Sequence, residues 1–368
     1  MTYLDNGATS FYKPQTVYRA MRCALDNCAN PGRGGYTAAM TAAKTVLKCR
    51  EQAAELFSCQ PEQVAMTSNC THGLNIAINT LVKPGSRVVI SGFEHNAVTR
   101  PLYARKAKIT IAGRKLFDWT DTLESFEKAL KQGADAAVFT HVSNVFGYIL
   151  PVEDLAALCK QYGVPFVVDA AQSAGMLPVS MEKLDAAFIA MPGHKGLLGP
   201  QGTGLLLCGR EPIPLLQGGT GSLSVRQSMP DFLPDRLEAG TLNVPGIAGL
   251  SAGIAYVRQQ GIEQIFARQQ QEAQRCGNGL RKLGLRVFMG ENQGGTVSFV
   301  PNMDCEEFAE HLGKNGIAVR AGLHCAPLAH ESAGTLESGA VRISFGHDAA
   351  AWQTGNLLLA VEKMVMQP

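Results

Sequence analysis

The 368-residue chain carries 33 Lys and Arg against 31 Asp and Glu, a net charge of +2 that offers no broad positive field to nucleic acid or to an anionic membrane. A composition that is 46% hydrophobic and 17% charged, with 39 glycines, excludes a disordered chain and suits an α/β enzyme acting on a small molecule. At this length two domains, or one large domain with an appendage, are expected.

The opening Met1-Thr2-Tyr3-Leu4-Asp5 has neither the basic nor the apolar region of a signal peptide, and no run approaches the roughly 18 apolar residues of a membrane span, so a cytoplasmic protein is expected. Ten cysteines are scattered without a C-x-x-C pair, which predicts reduced thiols, most of them core residues such as Cys159 and Cys208, and gives no support for a metal cluster. From about residue 40 to 210, short β-rich apolar runs alternate with helical stretches. The candidate strands are 63–67, 87–91, 108–111, 136–141, 164–168, 186–190 and 204–207, which predicts a mainly parallel, doubly wound sheet of seven strands covered by helices on both faces. The stretch 210–245, rich in Gly, Pro, Ser and Asp, reads as loops or a hairpin. Two long helical patterns follow from Pro245. Then come strands near Arg286 and Thr296, a helix opened by the capping pair Asp304 and Glu307, strands at Ile317 and Val341, and a helix to about Val365. The expected division is a large domain over 15–245 and a smaller α+β domain over 246–368, to which segment 1–14 belongs.

In an open parallel sheet a ligand lies beyond the carboxyl ends of the strands, so the polar residues just past each apolar run carry the information. Here three consecutive strands end in His141-Val142-Ser143-Asn144, in Asp169-Ala170-Ala171-Gln172, and in a run containing His194 and Lys195. Asp169 follows a buried strand, where a carboxylate needs a cation or strong donors. A protonated pyridine nitrogen would meet that need, and so would service as a helix N-cap. Lys195 lies in Pro192-Gly193-His194-Lys195-Gly196, where glycines let the backbone approach a ligand; it is either a Schiff-base lysine or an exposed loop lysine. Its position 26 residues after Asp169, one strand-helix unit later, favours the first. Thr67-Ser68-Asn69-Cys70-Thr71-His72-Gly73 opens a helix and reads as an anion site or as ordinary helix capping. His95, at the end of its strand, either stacks on a ring or is structural. Cys325, beside Arg320 and His324 in a loop that follows a strand, has the setting of an activated thiol. Arg342 is either a two-pronged carboxylate ligand or one half of a surface salt bridge.

Together these residues resemble the class V aminotransferase superfamily of fold-type-I pyridoxal-phosphate enzymes, and within it the cysteine desulfurase and selenocysteine lyase family. The resemblance runs from Tyr3-Leu4-Asp5-Asn6-Gly7-Ala8-Thr9 to Val341-Arg342-Ile343-Ser344. It is most specific at His141 to Asn144, Asp169 to Gln172, Gly193-His194-Lys195, Glu238-Ala239-Gly240-Thr241 and Arg320 to Cys325. It implies that Lys195 binds pyridoxal 5'-phosphate covalently, that Asp169 pairs with its pyridine nitrogen and that His95 stacks on its ring. Asn144 and Gln172 would contact the cofactor face and its phenolic oxygen. Thr71, His194 and, from a second subunit, Thr241 would bind its phosphate, which makes the enzyme a homodimer. Arg342, with Asn144 beside it, would hold the carboxylate of L-cysteine or selenocysteine. Cys325 would take the sulfur as a persulfide and pass it to a protein acceptor, as in iron-sulfur cluster assembly. The short R-x-G-x-H-C loop is similar to that of the scaffold-assisted second group of desulfurases.

The sequence departs from the pattern at Cys70 and Pro192, where many relatives carry a hydroxyl residue near the phosphate, and in Ala326-Pro327-Leu328-Ala329-His330 after the cysteine. The alternatives are a selenocysteine lyase, another class V aminotransferase or lyase, and a non-catalytic sulfur-relay protein. The complete set of Lys195, Asp169 and His95 argues against the last.

Overall fold

The computed structural model describes residues 1–32 and 34–366. In chain order its strands are β1 (Thr2–Tyr3), β2 (Val64–Thr67), β3 (Arg87–Ser91), β4 (Lys108–Ala112), β5 (Ala136–Thr140), β6 (Phe166–Asp169), β7 (Phe188–Pro192), β8 (Gly204–Cys208), β9 (Arg286–Phe288), β10 (Thr296–Val300), β11 (Ile317–Ala318), β12 (Arg320–Gly322) and β13 (Ala340–Ser344). Seven form one sheet in the order β2-β8-β7-β6-β5-β3-β4, in which β8 alone runs against its neighbours. The expected mainly parallel α/β sheet is present, with each candidate strand within two residues of its place.

Alternate residues of each strand feed two separate cores, as the period of two requires. Ala137, Phe139, Val168 and Ile189 join the cluster on one face, while Ala136, Val138, Val167 and Phe188 join the cluster on the other. Burial on both faces explains the continuous apolar runs. The segment 210–243 contains neither strand nor helix, so its hairpin reading gives way to loops. Helices Val244–Gln260 and Ile262–Lys282 follow.

A second sheet, antiparallel in the order β12-β13-β10-β9, packs on its own core with Phe299, Phe308 and Leu357. Helix Cys305–Lys314 begins where expected, with the Asp304 carboxylate accepting from the N–H groups of Glu306 and Glu307. Strand β12 ends at Gly322 and leads, as expected, into a loop that carries Cys325, and the short helix Pro327–Ala333 closes that loop after four residues. The N-terminus joins this end of the molecule: β1 pairs with β11, and Asp5 bridges to Ser344 of the second sheet. No helix among the described residues is long and apolar enough to cross a membrane.

The glycines around Lys195 have a packing reason of their own. A Cβ at Gly193 would strike Thr203, and one at Gly196 would strike the Ala174 carbonyl, so these glycines serve close packing of the lysine loop against the protein.

Candidate active site

Strands β5, β6 and β7 lie side by side, and the chain leaving their carboxyl ends lines a cavity of about 340 Å³. Asp169 closes β6 and is 2% exposed. Its Oδ1 accepts from the Ala171 N–H at 2.9 Å and from the Cys70 thiol at 3.4 Å. No cation among the described residues forms an ion pair with it, so this buried carboxylate still lacks the positive partner that its burial calls for. Lys195 lines the same cavity. Burial, and then the charge of Arg342, hold its ammonium below the usual lysine pKa, against the opposing pull of Asp169. A larger neutral fraction of an amine is what carbonyl chemistry needs.

His95 lines the cavity and caps helix Asn96–Ala104, its Nδ1 accepting from the Ala97 N–H at 3.0 Å. That bond puts the ring proton on Nε2, and burial shifts the ring's pKa down, which keeps it neutral. The capping role and the cavity position coexist. Asn69 caps helix Cys70–Leu81 by accepting from the His72 N–H at 2.9 Å, and this helix N-terminus brings Thr71 to the cavity wall. His194, also in the wall, has Nδ1 3.1 Å from the Thr9 hydroxyl, while Gln172 donates to the Gly7 carbonyl at 3.0 Å. Both are therefore braced by the N-terminal segment, a pairing that no local pattern announces.

Arg342 is 2% exposed, which overturns its reading as half of a surface salt bridge. Its guanidinium donates to Asp5 Oδ1 at 2.6 Å and to the Asn144 carbonyl at 3.0 Å, and its buried Nε has no partner among the described residues. Asp5 also meets the half-exposed Arg320 at 3.3 Å. Two of five N–H groups are accounted for, and the unpaired ones are available to a carboxylate.

Cys325 is exposed at the cavity rim. Its carbonyl accepts from the Asn96 N–H at 2.7 Å, and the preceding His324 carbonyl accepts from Asn144 Nδ2 at 2.8 Å. One expectation is corrected here. His324 is buried, with its pKa pushed down to about 3 by burial and then by Arg342, so it is a neutral ring and no cationic neighbour of the thiol.

Thr241 is not in this cavity. It is exposed and lines a separate hollow with Thr220 and Asp235. Beneath that hollow Glu238 makes a two-pronged, buried ion pair with Arg50 at 2.9 Å and accepts from the Met66 N–H at 2.7 Å. Sequence reading missed Cys70, set aside as a departure from a phosphate motif, and Asp5, seen only as part of the opening motif.

The family model for aminotransferase class-V matches residues 2–353. The chain belongs to this family. Among curated relatives, a probable cysteine desulfurase of Pyrococcus abyssi is 34% identical over 345 residues, covering 88% of this chain and 84% of the relative. Another probable cysteine desulfurase, of Methanothermobacter thermautotrophicus, is 32% identical over 358 residues, covering 91% and 89%. Among solved structures, the apo cysteine desulfurase of Thermococcus onnurineus NA1 superposes with a TM-score of 0.90 at 32% identity over 99% of this chain and 94% of that one. Within the family, the chain falls among the cysteine desulfurases.

Proposed function

We propose that the chain converts L-cysteine to L-alanine, leaving the sulfur on Cys325 as a persulfide, with pyridoxal 5'-phosphate held by Lys195. The observation that carries the reading is the exposed Cys325 thiol on the rim of the cavity that contains Lys195 and Asp169. The cavity residues fit the cofactor. A buried carboxylate without a cation suits a protonated ring nitrogen, a lysine of lowered pKa suits a carbonyl carbon, and a helix N-terminus with Thr71 and His194 suits a phosphate.

When bound, pyridoxal phosphate supplies an electron sink for bonds at the α and β carbons of an amino acid. The chain's own residues do the rest. Arg342 and Asn144 orient the substrate carboxylate and so fix the β-carbon relative to Cys325. With the cofactor bound, His95 would cover its ring face as a neutral imidazole, and Gln172 and Asn144 would contact it. Lys195 moves the α-proton. Cys325 thiolate attacks the substrate sulfur; the S–S bond forms as the C–S bond breaks, the electron pair goes to carbon, and a proton delivered to that carbon completes alanine. Cysteine plus a protein thiol thus gives alanine plus a protein persulfide, with no external oxidant. A persulfide formed at an exposed position can then be taken by a protein acceptor.

The active species is a homodimer in this reading, with Thr241 completing the phosphate site of the neighbouring subunit. The test is to incubate the yellow holoenzyme, Lys195→Ala and Cys325→Ala with cysteine and with selenocysteine, measuring alanine, sulfide and selenide. Lys195→Ala is expected to lose the borohydride-reducible cofactor adduct. Cys325→Ala is expected to yield no alanine from cysteine yet keep activity on selenocysteine, because a selenol leaves more readily than a thiol. Parental desulfuration by Cys325→Ala would overturn the proposal.

A further inference from the structure

We infer that His330 is a positioning residue for Cys325, acting through His324 to clamp the cysteine loop from below. The inference rests on the reading of Cys325 as the sulfur acceptor.

The loop adopts a backbone that its residues do not favour. His324 and Cys325 have φ values of 52° and 55°, two consecutive side-chain-bearing residues in the left-handed region. Such a pair persists only where its surroundings over-determine it. On the cavity side two anchors are already described, Asn144 on the His324 carbonyl and Asn96 on the Cys325 carbonyl. Both grip the backbone, and neither orients the His324 side chain.

The remaining anchor is a chain of buried polar groups. His324 Nε2 lies 3.3 Å from the Arg320 carbonyl, and His324 Nδ1 lies 3.4 Å from His330 Nε2. His330 Nδ1 lies 2.8 Å from the Thr335 hydroxyl. The two imidazoles are parallel within 5°, with centroids 5.6 Å apart. A carbonyl can only accept, so with both rings neutral the proton order of the chain follows from its Arg320 end. His324 donates through Nε2 and accepts at Nδ1 from His330 Nε2–H, and His330 accepts at Nδ1 from the Thr335 hydroxyl. Both rings are neutral in this arrangement, in agreement with the downward push of burial on each.

His330 is fully buried in helix Pro327–Ala333, beside Phe146, and does not line the cavity. An imidazole in that setting is costly unless its nitrogens are satisfied, and here they are satisfied by the loop on one side and Thr335 on the other. The stretch Ala326 to His330, where the sequence departs from the family pattern, is the one that carries this clamp.

The test uses the holoenzyme and three variants. His330→Leu removes both bonds, His330→Gln keeps a donor toward His324 Nδ1, and Thr335→Val removes the last hydroxyl. In alanine formation from cysteine, His330→Leu should lower kcat about tenfold or more, while KM and cofactor absorbance stay within about twofold of the parent; Gln should restore most of the loss. In hydrogen exchange, the Asn96 amide should open faster in His330→Leu than in the parent. A kcat within twofold of the parent, or a joint fall of kcat, KM quality and cofactor content that Gln does not restore, overturns the inference. Should His330→Leu fail to fold, Thr335→Val decides by the same split. Unchanged Asn96 exchange refutes the clamp whatever the reaction, whereas parental desulfuration by Cys325→Ala refutes the reading beneath it.

Discussion

The Cys70 thiol donates to Asp169 Oδ1 at 3.4 Å, so the cavity holds two cysteines of opposite character. Burial, and then the Asp169 charge, hold Cys70 well above the usual thiol pKa, since a thiolate there would face a carboxylate. Cys325 is open to solvent. Iodoacetamide should therefore label Cys325 and the exposed Cys23 in the folded protein and spare Cys70 until the chain is unfolded, as read by peptide mass mapping. Labelling of Cys70 and Cys325 at equal rates would contradict the hydrogen bond.

Arg342 anchors Asp5 and, in the proposed reading, also faces the substrate. Among the described residues, Arg342→Ala leaves Asp5 with the half-exposed Arg320 as its one cationic partner, and it removes the donor to the Asn144 carbonyl. Removing one partner of a buried pair costs about 3–5 kcal/mol where the other charge is left uncompensated; Arg320 still faces Asp5, so denaturant unfolding should show a smaller loss than that. The variant should retain cofactor and show a raised KM for cysteine. Arg342→Lys should recover stability better than affinity, because an ammonium lacks the planar fork. Cofactor loss with an unchanged KM would reverse the assignment.

Stability should rise with pH between about 4.5 and 6.5. Burial pushes the pKa values of His141 and His330 down to about 4 and that of His324 to about 3, from an ordinary 6.5. In that window the unfolded chain binds protons that the folded chain refuses, so stability is lost as pH falls. Glu94 works the other way: burial raises it from 4.5 to about 8, so the folded state keeps a proton that the unfolded state releases. Three groups outweigh one. Thermal unfolding across this range should give an ascending Tm, shallower in His141→Gln and steeper in Glu94→Gln. A flat profile would mean that these rings are solvated.

Thr241 lies in its own hollow, away from Lys195. If the neighbouring subunit's phosphate site includes it, Thr241→Ala should release cofactor faster on dialysis without shifting the absorbance of what remains bound. Sedimentation at assay dilution should give a dimer. A fully active monomer would exclude the shared site.

The main sheet was legible because each inner strand is an unbroken apolar run between turns: 87–91 was read to the residue. Ends were less so. The run read as 164–168 starts as a strand only at Phe166, since Pro165 has no N–H for a ladder, and it extends to Asp169, whose side chain belongs to the site while its backbone still pairs. Asp169 and Lys195 could be read together because adjacent parallel strands end on the same edge. Asp5 and Arg342 are 337 residues apart in the chain, and their pairing follows from β1 joining β11, which two short strands do not signal. His330 was invisible for a similar reason: its partners lie across a helix turn and a strand end, and its sequence context is that of an ordinary core position.

The segment from Leu4 to Ser10 supplies none of the proposed reacting groups, yet it touches three corners of the cavity. Asp5 holds Arg342, the Gly7 carbonyl holds Gln172, and Thr9 and Ser10 hold His194. A change anywhere along these seven residues should be felt at Arg342, Gln172 and His194 together, the proposed carboxylate, ring-edge and phosphate ligands. In a mutational scan this stretch will show the intolerance of a catalytic loop, and a peptide spliced into it will silence the protein more surely than one spliced into the loops of 210–235.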